Sequence, residues 1–181
     1  MTPQKLEEYR ALRATIQERG TQRVWVFVAG TSAWAGLTVA TAALTQLPVA
    51  TLVPLLVLAA VFEAVLALHT GVERIGRYIQ VFFEGDSEPG WEHRIMAYGT
   101  FRSGLGNRGS GDPLFTAYFL LAAFLNFMPA ILAGPVPVEY GVVGGIHLLF
   151  GVRLVVARQA ASKQRAVDLE RFTEIKKQSP L

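Results

Sequence analysis

Four stretches of the chain are apolar for about the length that crosses a lipid bilayer. Residues 24–44 and 114–133 contain no Asp, Glu, Lys or Arg, residues 48–68 contain one, and residues 138–157 contain two. A helix rises about 1.5 Å per residue, so about 20 apolar residues cover a hydrocarbon core of about 30 Å. The pattern predicts an all-α membrane protein with four transmembrane helices, about 24–44, 48–68, 114–133 and 138–157, arranged as two hairpins in a four-helix bundle.

The segments before the first stretch and after the last one carry apolar residues at helical spacing among charged ones. Residues 1–23 and 158–181 both show this pattern, which is typical of amphipathic helices. We expect the second of these helices to continue directly from the fourth span. The apolar positions are Leu6, Tyr9, Leu12 and Ile16 in the first segment and Ala166, Leu169, Phe172 and Ile175 in the second.

The second span is predicted to continue unbroken into a polar region, as an amphipathic helix over residues 66–84. Its apolar stripe would form the core of a subassembly that the other two amphipathic helices cover. The stripe contains Leu68, Val72, Ile75, Ile79, Phe82 and Phe83. The rest of residues 69–113 is expected to hold a short helix, with Trp91, Ile95 and Tyr98 on one face suited to a membrane interface, and a Gly-rich loop.

The basic residues fix the expected orientation. Of the 17 Lys and Arg, five lie in residues 1–23, five in 74–108 and seven in 153–177, whereas the turns 45–47 and 134–137 have none. Positive charge collects on the cytoplasmic side of membrane proteins. We therefore expect one integral domain, residues 1–181, in the plasma (inner) membrane with both termini cytoplasmic. The net charge of +3 is then a sign of topology and not of nucleic-acid binding.

The amino-acid composition limits the kinds of chemistry that the chain can perform. Charged residues make up 17% of the chain, against about 25% in soluble domains, and the mean hydropathy is +0.34. The chain has no Cys, which excludes disulfides and thiol catalysis. Serine-hydrolase, zincin and Walker motifs are also absent from the sequence. We predict no catalytic residues, no cofactor and no enzymatic activity.

Polar groups inside the apolar stretches are candidates for function. A charge at the bilayer centre costs about 2.5–3.5 kcal/mol on insertion scales, so such residues are paired or functional. Glu63, Asn126, His147 and Arg153 are of this kind. One interpretation is an ion or proton pathway. The other is structural, with Glu63 paired to Arg153 or to Arg74, and His147 hydrogen-bonded between helices, with Asn126 as a partner.

A polar row follows Glu63 along the same predicted helix. His69, Glu73 and Arg77 are spaced by four residues and share one face. This spacing suits a metal or a proton site at the cytoplasmic mouth, to which His93 could contribute, but it equally suits a structural Glu73–Arg77 ion pair. A dimetal site needs a second His–carboxylate pair on another helix, and none is present, so no metal site is predicted.

The Gly-rich loop matches a dinucleotide-binding pattern only in form. Residues 104–109 read G-L-G-N-R-G, but no strand precedes them and a predicted membrane helix follows. Arg102 and Arg108 make the loop a candidate for contact with anionic lipid headgroups.

Two functions remain open from the sequence. The first is a non-enzymatic assembly, scaffold or accessory protein of the membrane that forms homo-oligomers or binds a partner in a membrane complex. The second is an oligomeric ion or proton channel, or a small transporter, with Glu63 and the His69–Glu73–Arg77 row at its cytoplasmic mouth. The lipid bilayer is the partner that both functions require.

Overall fold

A computed structural model describes residues 2–45, 47–84, 90–104, 114–132 and 137–178. Nearly all of these residues are helical, without a strand in the described ranges. The helices are α1 (Pro3–Leu44), a short 3₁₀ helix (Pro48–Thr51), α2 (Leu52–Phe82), α3 (Trp91–Gly104), α4 (Thr116–Leu132) and α5 (Pro137–Gln178). The all-α prediction is confirmed for this part of the chain.

In the part of the chain that the structure describes, three helical segments are long and apolar enough to cross a membrane. They are Pro3–Leu44, Pro48–Phe82 and Val138–Gln178. They contain the first, second and fourth predicted spans. The helix at the third predicted span, α4, is apolar but has 17 residues, which corresponds to about 25 Å of helix.

The long helices are continuous where the polarity of the sequence changes. The amphipathic segment 1–23 and the span 24–44, which the sequence suggested as separate elements, form the single 42-residue helix α1. Gly20 lies inside it, because one glycine costs a helix only about 1 kcal/mol and no proline follows it there. The predicted continuations of the second and fourth spans are confirmed by α2 and α5.

The start of α4 differs from the prediction by two residues. Phe115 has a φ of 53°, in the left-handed region that a bulky residue rarely adopts. The right-handed helix therefore begins at Thr116 and not at Leu114.

The chain divides into two compact units. The polar unit comprises Met1–Thr21, Leu68–Gly111 and Ala160–Leu181, and the apolar unit comprises Gln22–Ala67 and Asp112–Gln159. Helices α1, α2 and α5 contribute residues to both. The division of the chain at the bilayer, predicted as 1–23, 69–113 and 158–181 outside it, stays a prediction.

The apolar unit has an aromatic and aliphatic core. Phe62 and Phe119 are fully buried, and their rings meet edge to face with centroids 5.2 Å apart. Gly30 of α1 lies directly against the side chain of Val61, so the two helices touch where α1 has no side chain. Other core residues are Leu55, Leu58, Val65, Ala122, Ala123, Phe150 and Leu154.

The apolar stripe of α2 is only partly buried, which differs from the prediction that it forms a core. Of its six residues Ile79 alone is buried, whereas four residues of the predicted polar side are buried: His69, Arg77, Gln80 and Glu84. The ring of Phe83 lies 5.7 Å from that of Tyr9 in α1, and the ring of Phe82 lies 6.3 Å from that of Phe172 in α5. The first and last amphipathic segments therefore cover part of this stripe within one chain.

Helix α3 presents an apolar stripe that nothing in the described part of the chain covers. Trp91, Ile95 and Tyr98 are 63%, 43% and 56% exposed, and their spacing places them on one face. The buried residue Glu92 lies on another side of the same helix and bonds to Arg13.

Candidate functional site

Glu63 and Arg153 form an ion pair in the apolar unit. Arg153 Nε lies 2.8 Å from Glu63 Oε1, and a second guanidinium nitrogen donates to Oε2 at 2.8 Å, so the contact is bidentate. The structure thus selects Arg153 from the two predicted partners. Arg74 instead lies 3.5 Å from Asp168. Both members of the Glu63–Arg153 pair are about half exposed, with side-chain exposures of 48% and 45%.

Exposed residues of small size or apolar character flank this ion pair. On α2 the exposed positions Leu56, Ala60 and Ala67 fall within about 60° of Glu63 around the helix axis. On α5 the exposed positions Gly145, Leu149 and Val156 fall within about 80° of Arg153 around the helix axis. We call these eight residues, Glu63 and Arg153 included, the ion-pair face.

A fully buried amide links several helices of the apolar unit. Asn126 Oδ1 accepts hydrogen bonds from Trp34 Nε1 and Thr38 Oγ1, both at 3.2 Å. Its Nδ2 donates to the carbonyl of Thr51 at 2.8 Å and to His147 Nε2 at 3.0 Å. The predicted Asn126–His147 hydrogen bond is confirmed, and it belongs to a network that joins α1, the 3₁₀ helix, α4 and α5.

The chemistry of this network fixes the orientation of its members. The indole N–H of Trp34 can only donate, so it must face the amide oxygen of Asn126. His147 Nε2 then accepts from the amide, and Nδ1 carries the proton that is donated to the carbonyl of Val143 at 2.9 Å. The amide of Asn126 has no donor or acceptor left for an ion, which favours a structural role for this pair.

The polar row of α2 meets α5 in the polar unit. Glu73 Oε2 lies 3.5 Å from Arg77 and 2.9 Å from Arg165, so the predicted Glu73–Arg77 pair exists and gains a second arginine. Arg77 is buried, with 6% of its side chain exposed, and donates to Gln80 at 2.9 Å.

A cavity of about 10 Å³, the size of one water molecule, lies beside these charges. Among the described residues no group of three His, Asp or Glu side chains could hold a metal ion. The arrangement is that of an ion network. Its lining residues are His69, Thr70, Glu73, Arg77, Ala161, Gln164, Arg165 and Asp168.

A second polar cluster of the polar unit was not predicted. Glu84, just after α2, accepts hydrogen bonds from the backbone N–H groups of Glu92 and His93 at 2.9 and 3.0 Å, and its carboxylate lies 2.8 Å from His93 Nδ1. It therefore caps the first turn of α3. Burial alone would raise the pKa of Glu84, but these hydrogen bonds outweigh burial and lower the pKa.

The polar unit also has a groove that the sequence did not indicate. It encloses about 440 Å³ and is lined by Gln80, Val81, His93, Leu169, Thr173, Lys176 and Lys177. The Lys176-Lys177 doublet was the one signal available, but nothing in the sequence places it next to His93. The predicted lipid contacts cannot be compared, because Arg108 and the side chain of Arg102 lie outside the described residues.

Comparison with protein-family models, curated proteins and solved structures finds no match to this chain.

Proposed function

We propose that the chain is an integral membrane protein of the inner membrane that acts in assembly, without catalysis, by associating with itself through the ion-pair face. In this proposal α4 is a fourth span, the spans form two hairpins, and the polar unit lies in the cytoplasm with both termini. The observation that carries the proposal is the half-exposed Glu63–Arg153 pair in the apolar unit.

A membrane position for α4 has two supports. Its buried side carries Phe119 and Asn126, which pack in the core of the apolar unit. Its other side exposes Leu121, Phe124 and Leu132 at 57%, 58% and 79%, as expected of a surface that faces lipid tails. A helix of 17 residues with apolar neighbours at its ends is sufficient for a span, since spans range from about 17 to 25 residues.

Self-association would remove the unfavourable exposure of the Glu63–Arg153 ion pair to lipid. An ion pair that faces lipid is poorly solvated, whereas a second copy related by two-fold symmetry brings a further carboxylate and guanidinium to the same place. The face is self-complementary in charge. Its Ala60, Ala67 and Gly145 are small, which permits the close helix approach that holds membrane helices together.

Cysteine cross-linking tests this proposal, because the natural chain has no Cys. We expect Ala60→Cys on the ion-pair face to give disulfide-linked dimers in native membranes under mild oxidation. The matched control is Leu121→Cys, at a position of α4 that is 57% exposed, which should remain monomeric. Equal cross-linking at both positions, or none together with a monomeric mass in detergent, would refute self-association through this face.

The second candidate function is an oligomeric ion or proton channel, or a small transporter, with Glu63 and the His69–Glu73–Arg77 row at its cytoplasmic mouth. The same exposed ion pair favours it, since a half-exposed pair is stable where it lines water. Ion and proton flux into liposomes that contain the purified protein distinguishes the two. A leak that Glu63→Gln changes supports transport, and tight liposomes with cross-linked dimers support assembly.

A further inference from the structure

The groove of the polar unit is rich in hydrogen-bond donors and positive charge. Its donors are Lys176, Lys177 and the amide of Gln80. The hydroxyl of Thr173 already donates to the carbonyl of Leu169, and Nδ1 of His93 already faces Glu84. Among the residues that the structure describes, no Asp or Glu lines the groove. Val81 and Leu169 supply an apolar part. This combination suits an anion that accepts several hydrogen bonds and carries an organic portion.

His93 is held in place by Glu84. Because Nδ1 lies 2.8 Å from the Glu84 carboxylate, that nitrogen carries a proton, and the ring orientation is fixed. The other ring nitrogen, Nε2, is not used in this contact. The Glu84 carboxylate also accepts the backbone N–H of His93, so the residue is fixed at both its backbone and its ring.

Lys176 is fixed in a similar way at the end of α2. Its Nζ donates to the carbonyl of Val81 at 2.5 Å, and Val81 lies in the last turn of α2. Helix carbonyls at that end attract cations. An ammonium has three N–H donors, and the bond to Val81 uses one of them. The groove therefore has a cation whose position the fold determines.

We propose that this groove binds a phosphate group carried on a small organic molecule or on a lipid headgroup. The volume of about 440 Å³ is within the range of small-molecule sites, about 300–1,000 Å³. Lys176, Lys177 and the amide of Gln80 donate to the phosphate, and the side of the groove with Val81 and Leu169 takes the organic portion. The inference does not depend on self-association through the ion-pair face.

Thermal unfolding of the purified full chain tests the groove, with two sources of phosphate compared at matched ionic strength. The soluble probes are inorganic phosphate and glycerol 3-phosphate. The lipid probe is a nanodisc of phosphatidylglycerol, compared with one of phosphatidylcholine. We expect a saturable rise in the unfolding midpoint with one of the two sources, and that result identifies the source.

The variant Lys177→Gln should weaken this effect by about ten-fold, since a charge-assisted contact is lost. Lys163→Gln, at an exposed position of α5 outside the groove, is the matched control and should bind as the natural chain does. The proposal is overturned if neither source raises the midpoint above a chloride control. It is also overturned if both variants weaken binding equally, because the effect is then one of general positive charge.

Discussion

Asn126 combines four hydrogen bonds on one buried side chain of the apolar unit. Such a group stabilises a fold only while every partner is in place, because a buried donor or acceptor without a partner costs about 1–3 kcal/mol. Asn126 is fully buried, so water does not replace a lost partner readily. The residue therefore determines how α1, α4 and α5 can pack.

Replacing Asn126 by Leu should destabilise the protein by more than the small change in side-chain volume suggests. The change keeps the volume but leaves the indole N–H of Trp34 and the carbonyl of Thr51 without this partner. We expect a loss of at least about 2 kcal/mol, seen as a lower unfolding midpoint in detergent. Leu121→Ala on the exposed side of α4 is the control and should change the midpoint little. An Asn126→Leu protein as stable as the natural chain would show that the network contributes nothing.

The Glu84 carboxylate gives the polar unit a stability that depends on pH. Its pKa is lowered on folding from an ordinary value of 4.5, so the contribution is complete above that pH and disappears as the pH falls through the folded-state pKa. Glu84→Gln should cost about 1 kcal/mol at pH 7 and less at pH 3, by analogy with a lost helix cap. Unfolding curves at the two pH values measure this. The same cost at both would contradict the capping role.

At the scale of elements, two glycines of α1 differ in what surrounds them. A methyl group on Gly30 would overlap the side chain of Val61, which is branched at Cβ and 93% buried and cannot easily move away. A methyl group on Gly36 meets nothing within 4 Å in this chain. Substitutions at Gly30 and Gly36 therefore distinguish the effect of packing on stability from the effect of helix propensity.

Gly30→Ala should therefore destabilise the protein by about 1–3 kcal/mol, the usual cost of an overpacked site, and so lower the unfolding midpoint. Gly36→Ala should leave it unchanged or raise it, since alanine favours a helix by about 1 kcal/mol over glycine. Thermal unfolding of both variants in the same detergent makes the comparison. If both behave alike, the contact of α1 with Val61 is not tight.

The helices could be predicted because polarity and periodicity are local properties of the sequence. The Glu73–Arg77 ion pair and the Asn126–His147 bond could be predicted because a polar group on such a helix has few possible partners. For Glu63 the same reasoning left two partners, Arg153 and Arg74. The start of α4 after Phe115 could not be predicted, since it depends on one backbone angle. Nor could the capping of α3 by Glu84, because an acidic residue that ends a polar stripe has many possible partners.

At the scale of the whole molecule, topology is the property that every proposal requires. Most of the 17 Lys and Arg lie in the polar unit, and the turns 45–47 and 134–137 hold none. From the positive-inside rule we expect the two turns to face away from the cytoplasm.

Labelling of single cysteines in intact cells checks this orientation. Leu47→Cys, at an exposed position between α1 and the 3₁₀ helix, should react with a membrane-impermeant maleimide. Ala160→Cys, at an exposed position of α5, should react only after the cells are permeabilised. The reverse order of labelling would place the termini outside and would invalidate the cytoplasmic assignment of the polar unit.

The Asn126 network also has a consequence for how the chain is made. Trp34, Thr38 and Thr51 are synthesised before Asn126, whereas His147 follows it by 21 residues. Until α5 joins α4, one amide proton of Asn126 has no acceptor from His147. A nascent chain that stalls at this stage carries an incompletely bonded polar group in its third apolar helix. The four hydrogen bonds of Asn126 are therefore complete only once the last helix has packed against the third.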